Sequence, residues 1–167
     1  MDRRLFIEAI LGGTIGGFTN IKVSDNTPEV VRINENLYKA KILKADKPNG
    51  NARIYSRSLI QKMISAPLPP NGMIDSAAFV FDKIPPQLIS HTVSKLKLEG
   101  DYLTVLITPL NTIEGKRLQN LLEQKKIVFR PTGSSTIKEN DKGIITLNDD
   151  YVLKAINAYE KDIAAGL

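Results

Sequence analysis

At 167 residues, with 42% hydrophobic and 25% charged residues, the chain has the length and ordinary globular composition of one domain able to bury its own core. It has no Cys and one His, which excludes a disulfide framework, a thiolate nucleophile, a Cys-based zinc or iron–sulfur site and a histidine-rich metal centre; only an all-carboxylate cation site stays open. The net charge of +5 comes from 23 basic residues interleaved with 18 acidic ones, and aromatics at 6% with no Trp give no basic cluster with stacking rings, which argues against nucleic-acid binding.

At the N-terminus Arg3 and Arg4 precede an apolar stretch, Leu5 to Phe18, broken by Glu8 and by Gly12, Gly13, Gly16 and Gly17. No small-residue cleavage site follows and the stretch is too short to span a bilayer, so neither a signal peptide nor a membrane anchor is expected. Two readings of it stand side by side. One is a short helix, Arg3 to Leu11, followed by a glycine-rich segment. The other is an arm that docks on a neighbouring subunit through Arg3, Arg4, Leu5 and Phe6. Residues 1–27 are taken as this arm and residues 28–167 as a single domain.

A turn is expected over Ser24 to Pro28, then a strand over Leu37 to Ala45. Pro48, Asn49 and Gly50 supply turn chemistry, and Ala52 to Tyr55 reads as a short extended piece. Ser56 suits the N-cap of a helix with Leu59, Ile60, Met63 and Ile64 on one side, stopped by Pro67. Ala66 to Gly72 is a rigid connector, Ala77 to Phe81 a short buried strand, and Pro85 and Pro86 a second break. Ile89 to Leu98 and Tyr102 to Thr108 read as a hairpin turning through Glu99, Gly100 and Asp101.

Asn111 or Thr112 caps a second helix whose Leu118, Leu121 and Leu122 face the core, with Glu114 at its positive end and Lys125 and Lys126 at its negative end. Strands follow at Ile127 to Phe129 and Gly143 to Leu147. A third helix is expected after Asn148, with Val152, Ile156, Tyr159 and Ile163 at helical spacing. There are no internal repeats. The order implies an α+β domain: a mostly antiparallel β-sheet or small β-barrel flanked by about three helices.

Two stretches carry a resemblance. Pro48 to Ile64, PNGNARIYSRSLIQKMI, has the form Asn-x-Asn-x-Arg-x-Tyr followed by a helix. Ile89 to Ile137 contains a Ser-His-x-Val strand, a Gly-Asp hairpin, a Thr-x-x-Gly-Lys helix start and a further strand, in that order. In content and order these resemble the signature blocks of the T4-type phage prohead core protease family. The resemblance implies a serine-protease fold related to herpesvirus assemblins, which cleave scaffold and capsid proteins inside the immature head. Such chemistry needs a hydroxyl nucleophile, a histidine base and a backbone oxyanion site.

Carried over residue by residue, the resemblance puts Ser76 where the family has its histidine, in the run Gly72 to Ala77. It puts Arg130 and Pro131 where the family has its two serines, and Pro131 also lacks a backbone N–H for an oxyanion. Loss of the nucleophile or base of a serine protease costs on the order of a millionfold in turnover. No catalytic residue is therefore favoured. The sequence leaves one active alternative: His91 as general base with Ser134 or Ser135, oriented by Asp75 or Asp82. Against it stands the preferred reading of His91, a strand histidine satisfied by a backbone or side-chain partner. Arg53 reads as a partner contact or as half of an ion pair, and Asn49 and Asn51 as turn formers. Gly133 to Thr136 lacks the Lys and spacing of a phosphate-binding loop.

The expectation is thus a non-catalytic relative of the prohead protease, an auxiliary, decoration or internal protein of a phage head. It would bind the major capsid protein or other head proteins, with self-association as a further option, and take no cofactor and no metal. It would assemble in the bacterial cytoplasm, reside in the virion, and engage neither membrane nor nucleic acid. An active maturation serine protease, and a small binding module for which the resemblance is accidental, are the alternatives.

Overall fold

The computed structural model describes residues 21–74 and 83–161. The expected helix at Arg3 to Leu11, the arm contacts Arg3, Arg4, Leu5 and Phe6, the strand at Ala77 to Phe81, and Asp75, Ser76 and Asp82 lie outside these residues.

The largest unit is an antiparallel sheet of β1 (Val30–Asn34), β2 (Leu37–Lys44), β4 (Asn71–Met73), β5 (Ile89–Glu99) and β6 (Tyr102–Pro109), in the order β1-β2-β6-β5-β4. In β2, Tyr38, Ala40 and Ile42 go to the core while Lys39 and Lys41 point to the other face, the period-2 division of a strand. A register shift beside Ile42 then turns Leu43 inward as well. The β5–β6 turn is shorter than expected, because Glu99 pairs with Tyr102 and only Gly100 and Asp101 are left to reverse the chain. Gly100 has φ 59°, a left-handed conformation that glycine adopts at no steric cost.

Helix α1 (Arg57–Ser65) starts where the sequence places it: the Ser56 side chain accepts the Leu59 N–H at 3.2 Å, and Leu59, Ile60 and Met63 are buried. For helix α2 (Ile113–Glu123) the cap is Thr112, which accepts the Gly115 N–H at 3.0 Å; Leu118 and Leu122 are buried and Leu121 is packed at the core's edge. A single 3-10 turn, Pro86–Leu88, follows the Pro85 break. Among the described residues there are two α-helices, one fewer than the sequence suggests.

The missing helix is a strand. Asn148 caps no helix; its carbonyl closes a turn on the Tyr151 N–H at 3.3 Å, and β10 (Val152–Glu160) then pairs antiparallel with β7 (Ile127–Ser134). Five consecutive residues, Ala155 to Tyr159, are buried, a pattern that a helix with one apolar stripe cannot give and that a strand covered on both faces does. The spacing of Val152, Ile156 and Tyr159 is therefore incidental to the helical period. Strand β7 itself runs five residues beyond the expected end at Phe129.

A third set, β3 (Arg53–Ile54), β8 (Ile137–Glu139) and β9 (Ile145–Leu147), has the order β3-β9-β8, with β3 and β9 parallel. The described strands thus form three hydrogen-bonded sets with no closed barrel among them, and a bridge between Ile74 and Ala158 joins the five-stranded sheet to the β7–β10 pair. One continuous core joins them, with Leu103, Val105, Ile107, Leu118, Phe129 and Ile156 at its centre. Full burial of each such side chain contributes about 1.5–3 kcal/mol relative to exposure. No helix among the described residues is long and apolar enough to cross a membrane.

Candidate functional site

A cleft of about 310 Å³ opens between β7 and the β3-β9-β8 set. That is the low end of the size range of ligand-binding clefts. One wall is the stretch Arg130 to Ser135, which the family resemblance aligns with the nucleophile loop. The opposite wall is built from Ile145 and Leu147 of β9 and from Asn49, Asn51, Arg53 and Tyr55. Asn49 earns its place by turn chemistry: its Oδ1 accepts the N–H groups of Asn51 at 2.9 Å and Arg53 at 3.0 Å. Asp150 holds the mouth, its carboxylate accepting from the Thr136 N–H at 3.1 Å, the Thr136 hydroxyl at 3.0 Å and the Ser135 hydroxyl at 3.1 Å.

The inner surface is phenolic. Tyr55 and Tyr151 meet edge to face with ring centroids 5.6 Å apart, and burial pushes the pKa of both phenols up. The Tyr151 hydroxyl finds no partner of normal hydrogen-bond geometry. Gly133 is where that ring needs the space, since a Cβ there would lie 2.5 Å from its Cζ and 2.4 Å from the Val152 carbonyl oxygen. Neutral phenols are weak bases and poor nucleophiles at neutral pH.

Arg130 is not on a loop. It lies in the β7 ladder opposite Asn157, with Nη1 donating to the Phe129 carbonyl at 2.9 Å and Nη2 paired with Glu29 at 2.8 Å. Pro131 and Thr132 continue the same ladder opposite Ile156 and Ala155. Ser134 ends the strand, exposed, and the half-buried Ser135 has its one hydroxyl hydrogen within reach of three acceptors, Asp150 and the carbonyls of Thr136 and Asn148.

His91 is nowhere on this surface. It is fully buried in β5, its ring edge to face with Phe129 at 5.2 Å between centroids. Nε2 lies 2.9 Å from the Ile156 carbonyl oxygen, and because a carbonyl only accepts, Nε2 carries the hydrogen and donates it. Nδ1 is then the acceptor for the Ser90 hydroxyl at 2.8 Å. Adjacent strand residues ordinarily face opposite ways, but the register shift that pairs Gly72 with His91 and Met73 with Ile89 leaves Ser90 as the bulged residue, free to turn toward the ring. Burial drives the imidazole pKa down to about 4. Both ring nitrogens are engaged inside the core, and neither Ser134 nor Ser135 is brought to them.

Three residues of this region have no sequence signal of their own. Ser90 is legible only as the His91 neighbour, Gly72 only as part of a connector, and Asn157 sits inside the segment read as a helix. Asn157 is buried; its Oδ1 accepts the Met73 N–H at 3.0 Å and its Nδ2 donates to Thr132 Oγ1 at 2.9 Å, which ties β4 to the cleft wall. Among the described residues no group of His, Asp and Glu is placed to hold a metal ion.

No protein-family model and no curated protein matches the sequence. Among solved structures the fold is similar to that of the bacteriophage T4 capsid assembly protease, gp21, with a TM-score of 0.65 and 14% sequence identity over 74% of this chain and 80% of that one. At that identity the likeness shows a prohead-protease-like fold.

Proposed function

We propose that this chain is a non-catalytic head protein built on a prohead-protease-like fold, which binds the major capsid protein or another head protein through the cleft between β7 and β9. One observation carries the reading. The sole imidazole of the chain is held in the core, with Nε2 on Ile156 and Nδ1 on Ser90, so no imidazole is available to take the proton from a cleft hydroxyl near neutral pH. The substituted nucleophile stretch supports it too, since Arg130 and Pro131 are laddered to β10 and present no hydroxyl. The similarity to a capsid assembly protease supplies the setting, a phage head assembled in a bacterial host.

The test is to mix the full chain with purified capsid and scaffold proteins of its own phage and sediment the assembled capsids at physiological salt. The expected result is co-sedimentation with no new cleavage products, weakened by Arg53→Glu in the cleft. Cleavage that disappears in Ser134→Ala or Ser135→Ala would establish an active maturation protease instead. Absence of the chain from the pellet would overturn the head-binding reading.

A further inference from the structure

We propose that the sheet face carrying Lys39, Lys41 and Lys44 is a docking surface for an acidic segment of a partner protein, and that residues 21–27 occupy it as an internal stand-in. The surface is on the far side of β2 from the core and is independent of the cleft.

Lysine is seldom buried, yet Lys39 and Lys41 are 5% and 8% exposed. What covers them is a segment of the same chain that ends in a turn closed by the Thr27 N–H on the Ser24 carbonyl. Lys39 Nζ donates to the Ile21 carbonyl at 3.0 Å, and Lys41 Nζ donates to the carbonyls of Ser24 at 3.1 Å and Thr27. Asp25 supplies the one carboxylate of this strap, accepting from Lys44 Nζ at 3.0 Å and from the Tyr102 hydroxyl. The ammonium groups of Lys41 and Lys44 stand 4.4 and 5.4 Å from the centre of the Tyr102 ring. Lys97 faces Thr104 in the neighbouring strand pair, one step from Lys41, while Glu99 pairs with Lys39 at 2.6 Å. With the strap aside, four lysines are left with two glutamates, Glu99 on Lys39 and Glu29 near Lys41.

The strap is weakly held. None of residues 21–29 is buried, so it brings little apolar area to the sheet, and its ion pair is of the exposed kind that contributes little. The lysines beneath need oxygen acceptors whatever covers them, because a buried ammonium without them is costly. A peptide bearing carboxylates offers both kinds that the strap now provides, main-chain carbonyls and a carboxylate at the Asp25 position. A nucleic-acid strand fits less well: Glu99 interrupts the row, and the single ring of Tyr102 is no stacking platform.

The experiment is fluorescence anisotropy of a labelled Glu-Gly repeat peptide titrated with the full chain. Asp25→Ala removes the competing carboxylate and is expected to tighten binding about two- to fivefold, the scale of one exposed ion pair. Asp141→Ala, at an exposed acid in the turn before β9, is the control for net charge and is expected to leave affinity unchanged. Lys44→Gln, at a partly exposed position where the fold tolerates change, is expected to weaken binding by a similar factor. Unchanged affinity in Asp25→Ala, an equal gain in Asp141→Ala, or unchanged affinity in Lys44→Gln would overturn the proposal. A single-stranded oligonucleotide that displaces the peptide at lower concentration than unlabelled peptide would overturn it in favour of nucleic acid.

Discussion

Gly72 lies directly beneath the His91 ring: a Cβ added there would stand 2.1 Å from Nε2 and 2.3 Å from the Ile156 carbonyl oxygen. The hydrogen bond that joins β5 to β10 passes through the space that glycine leaves. Gly72→Ala is therefore expected to push the ring off its acceptor and destabilise the fold by about 1–3 kcal/mol, the usual cost of overpacking. Urea unfolding monitored by circular dichroism checks it; an unchanged midpoint would mean that the strands close without this contact.

The same imidazole sets a pH dependence. Its pKa falls from the ordinary 6.5 to about 4 on folding, so between those values the unfolded chain binds the proton that the folded one refuses. Stability from this group is complete above pH 6.5, declines as pH falls, and is exhausted by about pH 4, amounting at most to about 3 kcal/mol over the interval. His91→Gln, which keeps a side-chain N–H for Ile156, is expected to be less stable at pH 7 but to lose less between pH 7 and pH 4.5 than the parent. Paired urea titrations at those two pH values measure the difference.

Two of the three expected helix caps do cap helices, and their removal is expected to show it. Ser56→Ala and Thr112→Ala each leave an N–H of the first turn without its acceptor and are expected to cost about 0.5–2 kcal/mol. Thermal melts of the two single variants and the double test this, and the sites are on different helices, so the effects are expected to add.

Tyr38 offers a change in the opposite direction. It is 3% exposed and its hydroxyl has no hydrogen-bond partner, so the group was taken from water with nothing in return. Tyr38→Phe keeps the ring and is expected to raise stability by about 1 kcal/mol. A drop in melting temperature would reveal an acceptor for that hydroxyl in solution.

The Asp150 carboxylate is held below the usual range, chiefly by its hydrogen bond from the Thr136 side chain. Its contribution is present above the ordinary carboxylate pKa and lost as pH falls through the depressed one. Asp150→Ala is expected to leave the global melt almost unchanged while the Thr136 amide exchanges faster, since only the mouth of the cleft depends on it. Hydrogen exchange resolved at Thr136 separates the two outcomes.

What the sequence discloses about this fold is what local chemistry decides. The Asn49 turn, both helix caps, the β5–β6 hairpin and the core faces of α1 and α2 are all determined within a few residues. Strand β10 escaped because its burial comes from β7 on one edge and the Ile74 bridge on the other, partners that no window around Ile156 contains. Strands β1 and β8 are too short to stand out: β1 fully buries only Ile33, and β8 is exposed throughout. Of the candidate site, Arg130 and Pro131 were readable as residues without a hydroxyl, but their place in a ladder was not. The cleft was illegible because its walls come from residues as far apart as Asn49 and Tyr159.

That the Asn157 side chain bonds the Met73 backbone, 84 positions earlier in the chain, has a consequence for synthesis. On the ribosome every earlier strand emerges before β10, so Phe129 and His91 lack their cover and their acceptor until residue 160 has left the exit tunnel. Closure by so distant a pairing makes for slow folding, and the nascent polypeptide carries an open hydrophobic seam along β7 from the emergence of that strand until β10 follows it. Any ribosome-associated chaperone that greets this chain would find its target there.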